Sequence, residues 1–459
     1  MMSTRPGLAA RVRMWFDVPP PGAVQLAVFR IALGVMVLWD ACERIPTAHL
    51  FLAEDGFFPR AFQDVDRPSL FSLFGDGNWS IFLLVIYGLC GLALAIGFRP
   101  RLAAFLGWFL ILSLHHRNPY VTNGGDFFLR VILLWTAFLP TGGALTPWRQ
   151  TSVWSRGVWA VYRLQVSVVY LITAAHKALA GGWLVGDALE RSLRYVELTR
   201  PLAEIFLQWE AALHPLGVAV VLVQFLAGFG LLLRSPLWRG IAVAWIAAMQ
   251  ISFLLVFNLG FFPWIGLVSL LPLVPIPHRA PEVARNFDWR GITAICAGTL
   301  TFLYAVASLG IEQDDSTYER AFQLVGLNQR WPMFSHPSSF SSRLAVVVRD
   351  RGRPVDLIAL DWAGDGELRG REFAFPGGGD RLYATHRWGD FLDCVARDEL
   401  SGGRSMAREI AHRIGSHFAR KHPELSKSGW SVVVFSRLNT PDASEEADDR
   451  EVLARSSGH

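Results

Sequence analysis

Residues 216–257 read LGVAVVLVQFLAGFGLLLRSPLWRGIAVAWIAAMQISFLLVF, two apolar runs separated by a short turn that carries Arg234 and Arg239. A helix needs about 20 apolar residues, at a rise of about 1.5 Å per residue, to cross about 30 Å of hydrocarbon. Both runs have about this length. The stretch therefore predicts two membrane-spanning helices joined by a tight turn.

The same pattern of apolar runs between short polar loops occupies residues 24–310. Charged residues make up 18% of the chain, whereas a soluble domain usually carries about 25%. The fold class we predict is mainly α, a polytopic transmembrane helix bundle of about nine spans. The short runs at 102–116 and 127–140 could instead form a hairpin that does not cross fully. The predicted spans are residues 24–43, 79–98, 102–116, 127–140, 158–179, 216–234, 240–257, 260–276 and 290–310.

The placement of arginines predicts the orientation of the bundle, because short cytoplasmic loops carry an excess of Lys and Arg. Arg5, Arg11 and Arg13 precede the first span, which places the N-terminus in the cytoplasm. An odd number of spans then leaves the C-terminus outside the cytoplasm. We expect a multi-pass protein of the cell membrane. The other arginines of predicted cytoplasmic loops are Arg99, Arg101, Arg149, Arg156, Arg234, Arg239, Arg279, Arg285 and Arg290.

Four segments follow from this topology. Residues 1–23 form a cytoplasmic N-terminal segment, residues 24–310 the transmembrane domain, and residues 311–440 a small extracytoplasmic α+β domain. Residues 441–459 are polar enough to predict a disordered tail.

Within the α+β domain, strand and helix patterns alternate. Residues 343–350 and 356–361 predict a strand hairpin, and residues 430–435 predict a further strand. Apolar residues at helical spacing predict one amphipathic helix packed on the sheet. They are Met406, Ile410, Ile414 and Phe418.

Two kinds of site have no support in the sequence. The arginines are spread over loops and form no single basic face, so we predict no nucleic-acid partner. The four cysteines form no CxxC pair and no disulfide framework, so we predict no metal site.

Lys177 is the charged residue that most needs an explanation, because it lies in the apolar run 158–179 near its predicted outer end. In one interpretation the side chain extends to the membrane surface beside Trp183, an aromatic anchor. In the other it is a desolvated amine that serves as a general base, since burial disfavours the charged form. The sequence leaves both interpretations open.

A second polar cluster runs from His115 and His116 to Asn123 and Asp126, with Arg130 one turn into the next span. Asp126 and Arg130 are four residues apart, so they could pair on one helix face. The cluster is either a polar hairpin loop or the floor of a binding cavity. Gln250 lies in the span before a turn at Gly260 and Pro263, where its amide could donate a hydrogen bond into the same cavity.

Four local patterns resemble a known family of membrane proteins. They are residues 170–183, the turn Asn123-Gly124-Gly125-Asp126, residues 259–264, and residues 326–336, which include Trp331. With the predicted topology, they make the chain similar to bacterial inner-membrane proteins that carry the HTTM domain. These proteins are related to the vitamin K-dependent gamma-carboxylase.

The resemblance implies a function. In the carboxylase, a membrane-embedded lysine deprotonates vitamin K hydroquinone, and oxygenation of the quinol yields a strong base that prepares a peptide glutamate for CO2. By resemblance, Lys177 is the catalytic base and a reduced naphthoquinone the cofactor. The implied partners are membrane lipid and an extracytoplasmic protein or peptide. The implied cofactor-binding residues are His115, His116, Asn123, Asp126, Arg130, Gln250 and Trp331.

The chain also departs from the carboxylase pattern. The histidine of the carboxylase Asn-His pair falls on Gly124 or Gly125, and a second histidine falls on Gln250. Glycine offers no side chain to a carbanion or its CO2 adduct, so the sequence leaves open whether CO2 is a substrate. His115 or His116 is the available substitute.

Two functions remain open at this point: a quinol-oxygenating, carboxylase-like enzyme, or a non-catalytic scaffold or lipid-binding component of the same fold. An enzyme should hold Lys177 in a deep pocket, whereas a scaffold could leave it at the lipid boundary. A transporter is less favoured, because the sequence shows no internal repeat.

Overall fold

A computed structural model describes residues 18–148, 154–185, 187–195, 199–277, 289–310, 317–335, 340–351, 353–363, 386–401, 404–427, 429–438 and 449–457. Predictions made for residues 1–17, for Arg149, Arg279 and Arg285, and for His336 lie outside these ranges.

Each of the nine predicted apolar runs contains all or most of a helix. Short 3-10 helices at Ile45–Thr47, Arg60–Phe62, Leu70–Ser72, Pro119–Val121 and Leu271–Leu273 join them. The α-helices up to residue 324 are α1 (Ala23–Arg44), α2 (Ala48–Phe51), α3 (Gly77–Ile96), α4 (Pro100–Arg117), α5 (Gly124–Thr136), α6 (Arg156–Leu179), α7 (Gly182–Val185), α8 (Ala188–Arg194), α9 (Leu202–Leu207), α10 (Glu210–Gly230), α11 (Pro236–Val256), α12 (Phe262–Leu270), α13 (Trp289–Ala307) and α14 (Thr317–Leu324).

Fewer helices than predicted are long enough to span a membrane. Within the described ranges, five segments are long and apolar enough to cross a bilayer: Ala23–Phe51, Gly77–Ile96, Arg156–Leu179, Ala211–Gly230 and Pro236–Val256. Helix α5 has 13 residues and is therefore only about 20 Å long. Helix α4 ends in His115, His116 and Arg117, whose side chains are all buried. A multi-pass, mainly helical membrane protein follows from these helices.

Small residues let the first helices approach closely. A Cβ atom added at Gly34 of α1 would lie 2.5 Å from the backbone oxygen of Gly91 on α3. Only glycine permits this backbone contact, which is the usual means of tight helix packing in membranes. The outer faces of the same helices carry exposed Val35 and Leu89, as expected for lipid contact.

The C-terminal domain is a four-stranded antiparallel sheet in the order β2-β1-β3-β4, with three helices. The predicted helix through Met406 and Phe418 and the predicted strand at 430–435 are confirmed. The sequence did not predict the helix that begins at His386. The elements are β1 (Phe340–Asp350), β2 (Arg353–Asp356), α15 (Leu357–Ala363), α16 (His386–Ser401), α17 (Arg404–Lys421), β3 (Gly429–Leu438) and β4 (Asp449–Ser457).

Two predictions for this domain are wrong. The strand predicted at 356–361 ends at Asp356, whose side chain accepts a hydrogen bond from the backbone N–H of Ile358 and so starts helix α15. The tail predicted to be disordered contains β4, which pairs with β3. Backbone pairing at a sheet edge does not require an apolar sequence, so composition alone missed this strand.

Helix α16 holds the C-terminal domain against the membrane bundle. The ring of Trp388 lies 4.9 Å from that of Phe51, centroid to centroid, and Phe391 lies at the same distance from Phe51. Asn123, at the start of α5, donates a hydrogen bond from Nδ2 to Asp390 Oδ2 over 3.0 Å. The domain therefore packs at the end of the bundle where α5 begins.

Candidate functional site

Lys177 is buried inside the bundle. Its side chain, near the C-terminal end of α6, is only 2% exposed. The Nζ atom donates a hydrogen bond to Gln224 Oε1 on α10 over 3.1 Å and lies 4.5 Å from the centroid of the Trp183 ring. The side chain therefore points into the protein, not along the helix towards the membrane surface.

Neither partner of Lys177 carries a negative charge. Among the residues that the structure describes, no carboxylate lies within 4.0 Å of Nζ. An ammonium group here would be a buried cation with one amide oxygen and one aromatic face as its neighbours. Burial of a charge without an opposite charge is costly. The described contacts therefore leave a charge on this amine without compensation.

A narrow cavity lies beside the amine. Tyr170, Thr173 and Lys177 contribute to it from one face of α6, as their spacing of three and four residues requires. Its volume of about 10 Å³ corresponds to about one water molecule. The other lining residues are Val169, Gln224, Met249, Phe253, Phe262, Met333 and Phe334.

Gln250 lies one layer behind this cavity. Its Nε2 donates a hydrogen bond to the Tyr170 hydroxyl over 3.1 Å, and the side chain is fully buried. Gly266 leaves the room for it, because a Cβ atom there would lie 2.5 Å from Gln250 Nε2. Gln250 thus contacts a residue that lines the cavity but does not line the cavity itself.

Asp126 belongs to a separate, fully buried ion cluster. Its Oδ1 accepts hydrogen bonds from Arg44 Nη2 over 2.8 Å and from Arg387 Nη2 over 3.0 Å. Both arginines also contact Asp40. The predicted pair of Asp126 with Arg130 is therefore wrong, because these two stronger partners occupy the carboxylate.

Arg387 comes from helix α16 and so joins the C-terminal domain to α1 and α5. Burial alone would lower the pKa of its guanidinium, but the carboxylates of Asp126 and Asp40 raise the pKa above its ordinary value. Asn123 begins α5 with a capping box, in which its side chain accepts from the backbone of Gly125 and Asp126. Asn123 and Asp126 are thus structural at the bundle's end.

His115 and Arg130 form a third group. Arg130 Nη1 donates to His115 Nδ1 over 3.2 Å, and Arg130 Nη2 donates to Asn328 Oδ1 over 3.0 Å. His116 contacts the backbone oxygens of Pro68 and Gln323. Neither histidine lines the Lys177 cavity.

Trp331 lies in a buried network of amides and indoles. Its Nε1 donates to Gln329 Oε1 over 3.3 Å, and Gln329 exchanges hydrogen bonds with Gln165 on α6. The following residues, Met333 and Phe334, line the Lys177 cavity, whereas Trp331 does not. The structure therefore divides the predicted site residues among four neighbourhoods.

Close packing explains the two glycines at the start of α5. A Cβ atom on Gly125 would lie 2.4 Å from the backbone nitrogen of Phe262, and one on Gly124 would lie 2.6 Å from Met333 Sδ. Phe262 and Met333 line the Lys177 cavity. A histidine at either position would require this wall to move.

Sequence analysis missed Gln224, the hydrogen-bond partner of Lys177. Its signal was a single amide in the apolar run 216–234, a costly placement that calls for a partner. It also missed Arg387, which lies in the soluble domain and carries no sign of a membrane contact. Within the described ranges, no group of three or more His, Cys, Asp or Glu side chains could hold a metal ion.

Comparison with known families agrees with this architecture. The model of the HTTM domain matches residues 19–275. The chain belongs to the HTTM domain family. The matched range includes α1 to α12, and with them both Lys177 and Gln224. No curated protein and no solved structure matches the chain.

Proposed function

We propose that this HTTM-domain protein is a membrane enzyme in which Lys177 is the general base for a lipid-soluble weak acid. The observation that carries the proposal is the burial of Lys177 against Gln224 and Trp183 without a carboxylate within the described ranges. The resemblance to vitamin K-dependent carboxylase indicates a hydroquinone as the acid.

The chain supplies one acceptor for a proton and two groups that contact it. The neutral Nζ takes the proton of a hydroxyl group, the O–H bond breaks and its electron pair stays on the oxygen. Gln224 Oε1 then accepts a hydrogen bond from the new ammonium, and the Trp183 face stabilises its charge. A positioned base of this kind typically accelerates a reaction by about 10²–10⁴-fold.

A bound hydroquinone would supply the acidic hydroxyl and the electrons for oxygen. The lining of the cavity, mostly aromatic and methionine side chains with one base, has the right chemistry for such a ring. The cavity volume of about 10 Å³ is too small for a quinone ring. The site must therefore open before any quinone-sized molecule binds.

The segment 332–335, which contributes Met333 and Phe334 to the cavity wall, is the part best suited to move. Phe334 has a φ of 56°, a left-handed conformation that costs about 1–2 kcal/mol in a residue with a side chain. The Trp183 indole holds it by donating a hydrogen bond from Nε1 to the Phe334 oxygen over 2.6 Å. Met333, unbranched and flexible, fills the neighbouring space.

Carboxylation is not part of the proposal. The positions of the missing histidine, Gly124 and Gly125, are closed by Met333 and Phe262. His115 and His116 are bound to Arg130 and to backbone oxygens outside the cavity.

We also propose that the chain crosses the membrane nine times, with a cytoplasmic N-terminus and an extracytoplasmic C-terminal domain. The contact of Asp390 with Asn123 and the packing of Met333 against Gly124 support a shared end for this domain and the Lys177 cavity. A reporter that is active only in the cytoplasm should be silent when fused after His459. A strong signal would mean that a span has been miscounted.

The decisive experiment is epoxide formation. The protein in lipid nanodiscs would receive a reduced naphthoquinone and oxygen, which together yield the epoxide and water. We expect epoxide from the native protein and from Lys427→Ala, an exposed control, but not from Lys177→Ala. Absence of epoxide with folded native protein would overturn quinol oxygenation.

The alternative is a non-catalytic lipid-binding or assembly role on the same fold. The small volume of the cavity is the observation that favours it. In that case a naphthoquinone should neither react nor protect Lys177 from a small amine-reactive reagent.

A further inference from the structure

Two buried arginines lie at the opposite end of the bundle from Lys177. Arg163 on α6 is 1% exposed and Arg239 on α11 is 7% exposed. Arg163 precedes Lys177 by 14 residues of α6, or about 21 Å along the helix. The two arginines therefore belong to a region distinct from the Lys177 cavity.

Arg163 is partly satisfied by the backbone. Its Nη2 donates to the carbonyl oxygens of Leu231, Leu232 and Leu233, which follow the end of α10. The negative end of a helix is a favourable place for a cation. Its Nε has no hydrogen-bond partner within the described ranges.

Arg239 has no such compensation. It lies in the first turn of α11, where the helix dipole is positive and a cation is unfavourable. Its Nη1 is buried without a partner, and Arg163 and Arg239 repel each other. No carboxylate forms a salt bridge with either arginine among the residues that the structure describes. The described residues thus concentrate positive charge here without a paired anion.

The neighbouring side chains place this charge at a membrane surface. Leu237 and Trp238, beside Arg239, are 66% and 57% exposed. Exposed tryptophans at the ends of spans mark the headgroup level of a bilayer. Positive pockets between transmembrane helices at that level are suited to anionic lipid headgroups.

We propose that Arg163, Arg239 and the N-terminal turn of α11 bind the phosphate of an anionic phospholipid, between α6, α10 and α11. Charge-assisted hydrogen bonds from the two guanidinium groups would hold the phosphate oxygens. Leu237 and Trp238 would contact the upper acyl chains. The site does not depend on the function proposed for Lys177.

The test compares thermal unfolding in nanodiscs of phosphatidylcholine with unfolding in nanodiscs that contain phosphatidylglycerol. For the native chain, phosphatidylglycerol should raise the unfolding temperature. Arg239→Gln should lose this rise, yet in phosphatidylcholine it should be at least as stable as the native protein, because an unpaired buried cation is gone. Arg234→Gln, at an exposed position of the same turn, should behave as the native protein.

Lipid counting by native mass spectrometry gives the affinity. Phosphatidylglycerol should bind about tenfold more weakly to Arg239→Gln than to the native chain, the effect of one charge-assisted hydrogen bond. Stabilisation by inorganic phosphate in phosphatidylcholine nanodiscs, without phosphatidylglycerol, would mean a free-anion site and would overturn the lipid assignment. Equal stability of the native chain in both lipids, or an equal loss with Arg234→Gln, would also overturn the proposal. The native comparison decides the matter even if Arg239→Gln does not fold.

Discussion

Buried ionisable groups have two different environments in the bundle. At the end that meets the C-terminal domain, Asp40, Arg44, Asp126 and Arg387 form a cluster of two cations and two anions in mutual contact. In the cavity, Lys177 is as deeply buried, but its Nζ contacts the amide oxygen of Gln224 and the face of the Trp183 ring, and no carboxylate pairs with it in the described part of the chain. The first arrangement neutralises its charge permanently. Within the described ranges, the second leaves one protonation site without a counter-ion, and the general base that we propose depends on this arrangement.

The largest expected effect comes from breaking the cluster. Arg387→Met leaves two buried carboxylates with one arginine, and should lower the free energy of unfolding by about 3–5 kcal/mol. Chemical unfolding in detergent would measure it. The exposed control Arg420→Met should change stability by less than about 0.5 kcal/mol. A small effect of Arg387→Met would mean that the C-terminal domain does not depend on the cluster.

A substitution in the cavity should change the free energy of unfolding in the opposite direction. Lys177→Met replaces an amine that has no anionic partner, and should leave stability unchanged or raise it by about 1–2 kcal/mol. The same unfolding measurement applies, with Gln224→Met as the companion variant that removes only the hydrogen-bond acceptor. A loss of stability as large as that of Arg387→Met would reveal an unseen counter-ion and would remove the basis for a general base.

The fold was largely predictable because apolar runs of spanning length leave few alternatives. Each run contains a helix, whereas the number of helices that cross the membrane depends on their length, and α5 is short. Leu357–Ala363 was misassigned because its short apolar run fits a strand as well as a helix, and only the hydrogen bond of Asp356 decides between them.

The sequence identified a site residue only where the placement of that residue in an apolar run was energetically costly by itself. Lys177 was found because it is a charge in an apolar run. Gln224 is 47 residues away in sequence and Arg387 is 261 residues from Asp126. Such contacts arise from the packing of distant helices, which no local pattern encodes. The pairing of Asp126 with Arg130 failed for this reason, since a spacing of four permits a contact but does not exclude better partners.

The wall of the cavity provides a third test. Trp183→Phe keeps an aromatic face near Lys177 but removes the hydrogen bond to the Phe334 oxygen. It should cost about 0.5–1.5 kcal/mol and should increase the reactivity of Lys177 towards a small amine-reactive reagent. Trp238→Phe, at an exposed position far from the cavity, is the matched control. Unchanged labelling of Lys177 would show that residues 332–335 do not control access.

His417 offers a weaker version of the Lys177 environment outside the membrane, where titration is easy to follow. Its ring packs 5.3 Å from Phe57, and burial, with Lys421 and Arg420 nearby, lowers its pKa to about 4. In the unfolded chain the pKa is about 6.5. The folded protein therefore holds the neutral ring, and its contribution to stability is present above pH 6.5 and is lost as the pH falls towards 4. Solvent screening of a half-buried ring limits the effect to about 1 kcal/mol.

The pH dependence of unfolding should show this loss in the native chain and not in His417→Gln. The environment of His417 would then demonstrate, at a site open to titration, that this fold holds a basic side chain neutral by burial and neighbouring positive charge. Identical profiles for the two chains would mean that the ring gains enough water to charge freely. Burial beside aromatic rings would then not suffice to keep a base neutral, and the case for Lys177 would depend on the lack of an anion alone.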